Sequence, residues 1–572
     1  MQMDIPYSIE TYKERYFSLE NTTFRGLNYK IWLIFLTFFL ISALAFIKPI
    51  TGNPIVYNLC SKAISNGLGP KIFFYGYSQP FFCNFHTTLE MHALSFFYSL
   101  FKPSALVSKA FNFSLLLLFF IIFFKKKYRT TFLIETFALW LSIPLILNSF
   151  QVTDPDSNLS LLILPLIFLH LRTYNSSNLN FYFLFSMLFV LFWTKEITAF
   201  ITSLILIISL AFEGNKIFFK TIFAAAMAFF LFLATYFFYC NYYDLPFLLL
   251  FNTSISLVSQ SLDLNSIFYK LAIGIKGLSI WLGPVFLATF FALLFKALKL
   301  KYFMRITQAP YLIFSILCFL VSILMVLISG SFYPRYIIPF IFPAIVIFYS
   351  QLSNYSNAYK SLLSSKLEIF VFAIILVFWI FGSGDVVSKS NALHVGAPFF
   401  LYKIFLIFSP LFFLISHNLI KGNQFLFINK KLYFLFGVIP SLVMSFSIAA
   451  APWQNSTQIQ GLKGFNQMID FIKINSNSNT IVFGDHIDLA FYLDNKFVHL
   501  FNATNDIPVS SSKGYEVNNA VYNSIENKNY FISLRSFDEK AVIAIESKVS
   551  LPADSCRKNI GSFILIHPCS IK

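Results

Sequence analysis

Between Ile31 and Ala451 the chain repeats one unit about a dozen times: an apolar stretch of roughly twenty residues with almost no charge inside it, closed by a polar loop. A helix rises about 1.5 Å per residue, so each stretch is long enough to cross a hydrocarbon core about 30 Å thick. Hydrophobic residues make up 57 % of the chain and charged residues 12 %, and its mean hydropathy is +0.70. A soluble domain carries about a quarter of its residues as charges. The expected fold class is therefore a polytopic α-helical membrane protein with about 11–13 transmembrane helices and a small C-terminal extracytoplasmic α/β domain. The 77 phenylalanines read as lipid-facing filler in an AT-rich genome rather than as an aromatic recognition surface.

The net charge of +17 does not indicate a nucleic-acid partner, because the basic residues cluster in alternate loops. Lys125, Lys126, Lys127 and Arg129 follow one apolar stretch. Lys296, Lys299, Lys301 and Arg305 follow another, and Lys421, Lys430 and Lys431 lie in a third gap. Loops that alternate with these hold almost no Lys or Arg. This is the positive-inside pattern, and it puts the basic loops on the cytoplasmic side. The expected organisation is a cytoplasmic segment over 1–30, a helical membrane domain over 31–451 and an extracytoplasmic domain over 452–572. The first apolar run lacks a small-residue cleavage pattern and reads as an uncleaved span. A bacterial inner membrane fits this plan better than an endoplasmic reticulum.

The map gathers polar residues on the outer face. The first outer loop holds Asn53 and Tyr57, then His86, Glu90 and His92; the second holds Asp154 and Asp156; a turn between two spans reads Thr194-Lys195-Glu196; a later loop holds Arg335 and Tyr336. Ionisable groups at membrane depth or at its edge are costly and call for a function. Asp154 and Asp156 can cap a helix starting near Asn158 or contact substrate or metal. His86 and Glu90, four residues apart, would share one helical face as a metal or acid/base pair; local hydrogen bonds at a helix start are the structural alternative. Lys195 can snorkel or bind phosphate. Arg335 is a basic residue in an outer loop, and its planar fork suits a phosphate. Asp244, Asp263 and Asp385 read as solvated loop charges.

Cysteines follow the same map. Cys60 and Cys83 share the first outer loop, and Cys556 and Cys569 share the C-terminal tail; each pair can close as a disulfide in an oxidising compartment or stay as free thiols. Beyond Trp453 the pattern shifts to short segments. Helices are expected over 461–474 and 488–493, and strands over 480–483, 497–501, 529–534 and 563–566. The turn Gly484-Asp485-His486 lacks a glycine-rich phosphate loop, so no nucleotide site is expected there.

Taken in order, the long first outer loop, the short acidic second loop, the Thr-Lys-Glu turn, the run Arg335–Pro339 and the outer C-terminal domain resemble the GT-C glycosyltransferases. These polytopic enzymes, among them the protein O-mannosyltransferases and aminoarabinose transferases, use polyprenyl-phosphate sugars. The resemblance implies an isoprenoid-phosphate sugar donor, a glycan, lipid or protein acceptor, and membrane lipids as surroundings. It implies Asp154, Glu90 or Asp156 as the catalytic carboxylate, and Asn53, Tyr57, His86, Lys195, Glu196, Arg335 and Tyr336 as substrate-binding residues. No cofactor is certain, and a divalent metal is compatible with the carboxylates. The chain departs from the family at Asn53, where an acidic residue is usual about four residues before the Tyr. An amide is no general base. Two rival readings are a transporter or flippase for a lipid-linked or anionic substrate, for which no inverted repeat is evident, and a catalytically inactive assembly protein.

Overall fold

The computed structural model describes residues 50, 53–74, 80–123, 143–149, 159–172, 178–261, 267–282, 310–329, 335–343, 464–477, 479–484, 487–493, 496–499, 529–535, 554–561 and 563–571, with single positions within 36–46, 137–141 and at 377. The spans expected over about 367–382 (apart from position 377) and 432–451, and the second half of the one expected over about 270–295, lie outside these residues, as do Asp263 and Asp385.

The segment that the sequence reads as the first outer loop, called the first outer segment below, is itself structured. Helix α1 (Asn53–Ser65) leads to a small antiparallel hairpin, β1 (Lys71–Ile72) with β2 (Phe81–Phe82), and then to α2 (Leu89–Leu100). Cys60 of α1 is bonded to Cys83, just after β2. Helices α1 and α2 pack on each other. Buried polar groups join them: the Tyr98 hydroxyl donates to Asn58 Oδ1 at 2.6 Å, and Asn58 Nδ2 donates to the Pro54 carbonyl at 2.7 Å.

The bundle follows as α3 (Ala105–Phe123), α4 (Pro144–Ser149), α5 (Leu159–Arg172), α6 (Asn178–Thr194), α7 (Glu196–Leu210), α8 (Asn215–Tyr243), α9 (Leu249–Ser261), α10 (Ile267–Leu282) and α11 (Pro310–Ser329). A 3-10 segment, Arg335–Phe340, packs on α4, α5 and α11. Among the described residues α8 is the one helix both long and apolar enough to cross a membrane, and five shorter apolar stretches of 10–17 residues lie in α3, α5, α6, α7 and α11.

The sequence of α8 explains its packing. Its buried positions are Thr221, Ala224, Ala225, Ala228, Phe232, Tyr236 and Cys240, a stripe repeating about every four residues. Small residues in that stripe let α6 approach, and there Phe192 stacks on Phe232 with ring centroids 5.5 Å apart. The large apolar residues Phe219, Phe223, Phe230, Phe237 and Phe238 point outward instead. In water this arrangement would be inside out. In lipid it costs nothing.

The C-terminal part holds α12 (Phe465–Asn475), β3 (Ile481–Gly484), α13 (Asp488–Tyr492), β4 (Lys496–His499), β5 (Tyr530–Arg535), β6 (Ser555–Ile560) and β7 (Phe563–Pro568). The sheet order is β4-β3-β5-β7-β6. Strands β4, β3 and β5 are parallel, and β7 and β6 close the sheet in antiparallel fashion. Every expected element here is present to within a few residues; β6, with its exposed Arg557, Lys558 and Asn559, is the addition. Cys556 and Cys569 are bonded, so both candidate disulfides form. Of the described cysteines, Cys240 and Cys318 are free and buried.

This sheet does not stand apart. Buried residues of α12, β3, α13 and β7 share one apolar core with α1, α2 and the hairpin. The Tyr492 hydroxyl donates to the Ile50 carbonyl at 2.9 Å and accepts from the Ile50 N–H. Lys62 Nζ donates to the Phe491 carbonyl at 3.4 Å.

Candidate functional site

Residues 83–92 run along the end of the bundle and are fixed at both ends. Cys83 is tied to α1. Next to it, the buried Asn84 side chain donates to the Pro246 carbonyl at 3.0 Å and to the Tyr236 hydroxyl at 3.2 Å. Further along, His92 Nε2 lies 2.8 Å from the Tyr239 hydroxyl. Burial lowers the pKa of His92 from its usual value, so the ring is held neutral.

Between these anchors the segment meets the Thr-Lys-Glu turn. Helix α6 ends at Thr194, and α7 begins at Glu196. Lys195 alone interrupts them, with extended backbone at φ −155°, ψ 104°. Glu196 sits in the first turn of α7, where the helix dipole favours a carboxylate. Its Oε2 accepts from the Thr87 hydroxyl at 3.4 Å, and its Oε1 accepts from the Ser254 hydroxyl of α9 at 3.1 Å. His86 Nδ1 lies 3.5 Å from the same Oε1.

Two further candidates are deeply buried: Glu90, in the first turn of α2, at 1 % exposure, and Lys195 at 2 %. A charge taken out of water costs several kcal/mol, roughly, unless its surroundings compensate it. The ring of Tyr57, in α1, stacks on His86 with centroids 6.3 Å apart at 29°. The start of α1, the segment before α2 and the α6–α7 turn therefore meet at one junction.

One expectation needs correction. His86 and Glu90 do not share a helical face, because α2 begins at Leu89 and His86 lies before it. Residues 83–88 cannot continue the helix while the Cys60 bond and the Asn84 contacts hold them against the bundle. His86 turns to Glu196 instead. Asp244 agrees with its reading as a solvated charge: it is exposed, in a left-handed conformation at φ 50°, and makes a 3.5 Å surface pair with Lys71. Asn53 is the first residue of α1, and Arg335 opens the 3-10 segment, in which Tyr336 is half-buried. Asp154 and Asp156 lie outside the described residues.

Thr87, Ser254, Asn84, Tyr236 and Tyr239 were not among the sequence candidates. Ser254 had one signal: it ends the polar run Asn252-Thr253-Ser254 within an apolar stretch. Among the described residues no group of three or more His, Cys, Asp or Glu side chains is placed to hold a metal ion.

No family model and no curated protein matches this sequence. Two solved structures match its fold. The crystal structure of ArnT from Cupriavidus metallidurans bound to undecaprenyl phosphate gives a TM-score of 0.56 at 12 % identity, covering 94 % of this chain and 97 % of that one. The apo structure of the same protein gives 0.51 at 12 % identity over the same shares. Over nearly its whole length, this chain has a GT-C-like fold.

Proposed function

We propose that this protein is an integral-membrane glycosyltransferase of the GT-C type. It moves a sugar from an isoprenoid phosphate to a glycan, lipid or protein acceptor on the extracytoplasmic side. The observation that carries this reading is the likeness to an ArnT structure that holds undecaprenyl phosphate, extending over 94 % of the chain. The junction adds support: a buried carboxylate and a buried ammonium lie on the segments that meet there. The membrane is a bacterial inner membrane, with the C-terminal sheet outside, where two disulfides are at home.

The chemistry is a displacement at the anomeric carbon. A carboxylate, Glu90 or Asp154 (with Asp156 beside it), takes the proton from the acceptor hydroxyl. The freed oxygen attacks the anomeric carbon, and the carbon–oxygen bond to phosphate breaks. The leaving phosphate gains negative charge, which Lys195 and Arg335 stabilise. Asn53, Tyr57 and Tyr336 contact the substrate.

The test is deletion of the gene, then mass analysis of surface glycans and lipid-linked sugars. One residue should vanish from one glycan while its isoprenoid-linked precursor accumulates outside. Complementation with Asp154→Ala, Lys195→Met or Arg335→Ala should not restore it, although each variant is expressed. Full activity in all three would end this mechanism. Accumulation of an intact precursor on the inner leaflet would replace transfer with transport.

A further inference from the structure

Glu196 stands out because its contacts come from other parts of the chain. Thr87 and His86 belong to the first outer segment and Ser254 to α9. Both carboxylate oxygens accept hydroxyl hydrogen bonds, and the imidazole of His86 lies within ion-pair distance of one of them. Hydrogen bonds to a charged acceptor are about twice as strong as neutral ones. Two neighbours in sequence are residues of the proposed chemistry. Lys195 directly precedes Glu196, and Glu90 follows Thr87 by three residues.

We infer that Glu196 is a positioning residue: its carboxylate gathers Thr87, His86 and Ser254, and so fixes the segment leading to Glu90 against the turn that carries Lys195. The inference rests on the transfer reading for its chemical consequence, but the mechanical claim stands on the contacts alone. It takes Glu196 out of the substrate-binding set in which the sequence resemblance puts it. It also explains why a glutamate, two oxygens on a reach of two methylenes, stands here: one oxygen serves the outer segment and the other also serves α9.

The test uses the full chain in detergent or nanodiscs, with two readouts: hydrogen–deuterium exchange, and binding of undecaprenyl phosphate. Glu196→Ala should speed exchange of the amides at 89–92 and 84–88 by about tenfold or more, and leave 465–484 unchanged. Glu196→Gln keeps polar partners for Thr87 and Ser254, and should bring exchange back to within about threefold of wild type. Affinity for undecaprenyl phosphate should change by less than about threefold in both, while turnover falls. If Glu196→Ala does not fold, the double variant Thr87→Val, Ser254→Ala should show the same faster exchange. Unchanged exchange at 84–92 in these variants overturns the inference. So does loss of undecaprenyl phosphate binding with exchange unchanged, which would make Glu196 a ligand contact. A wild-type protein that transfers no sugar sinks the transfer reading, and the exchange data still decide the role of Glu196.

Discussion

Replacing Tyr492 by Phe removes one oxygen and tests how the C-terminal sheet is held to the first outer segment. Ile50 is 0 % exposed, and both its N–H and its carbonyl are served by the Tyr492 hydroxyl. Burial pushes the phenol pKa well above its usual value, so the hydroxyl keeps its proton and goes on donating at any working pH. A phenylalanine ring retains the contacts with Phe465 and Phe491, at 5.4 Å and 5.2 Å between centroids. The loss is then confined to two buried backbone groups left unserved, each worth about 1–3 kcal/mol, or roughly 2–6 kcal/mol together. At about 1.4 kcal/mol per factor of ten, the docked state weakens by roughly thirtyfold or more. Hydrogen exchange and limited proteolysis of the full chain in detergent measure this. Helices α1 and α13 should lose protection, while β3 and β5, paired within their own sheet, keep theirs. Wild-type protection across α1 and α13 in the Phe variant would refute the argument. It would mean that the shared apolar core, with the Lys62–Phe491 hydrogen bond, seats the sheet.

The other predictions are local. Cys60 and Cys83 are 23 positions apart, so their bond removes about 3 kcal/mol of unfolded-chain entropy; a Cys60→Ala, Cys83→Ala pair should unfold at lower temperature and resemble the reduced wild type. His92 is buried with a lowered pKa, so an unfolded chain takes up a proton near pH 6.5 that the folded one refuses. Stability should therefore fall as pH drops below that value, and His92→Phe should flatten the profile between pH ~7.5 and ~5.5 in thermal unfolding. Glu90→Gln should lower transfer by about a hundredfold or more if Glu90 is the base, and Asn53→Asp should restore part of it; wild-type transfer by folded Glu90→Gln would assign the base elsewhere.

Local rules made much of this fold legible. The α6–α7 pair, α8 and the strands of the C-terminal sheet follow from apolar run length and periodicity, which act within a few turns of chain. The two disulfides were legible as pairs because each joins cysteines in one polar segment. What stayed hidden is contact over long separations. Nothing local in His86 says that it faces Glu196, and nothing in Tyr492 says that it serves Ile50. His86 also shows how a local rule fails. Four-residue spacing to Glu90 implies one helical face, but the spacing means that only if the backbone is helical, and the Cys60–Cys83 bond and Asn84 hold it otherwise.

The change at Asn53 gains a physical account from this arrangement. A general base needs a place near the reacting atoms, and the neighbouring helix can supply the place as well as the original one. Asn53 opens α1, and Glu90 lies in the first turn of α2. The Tyr57–His86 stack joins α1 to the segment that leads into α2. Both starts favour a carboxylate through the helix dipole. If Glu90 is the base of the proposed transfer, the acid stands on the helix packed against the one that Asn53 opens. On the proposed transfer reading, the amide at 53 leaves Glu90 as the carboxylate at the start of these two paired helices, with Asp154 as the other candidate base.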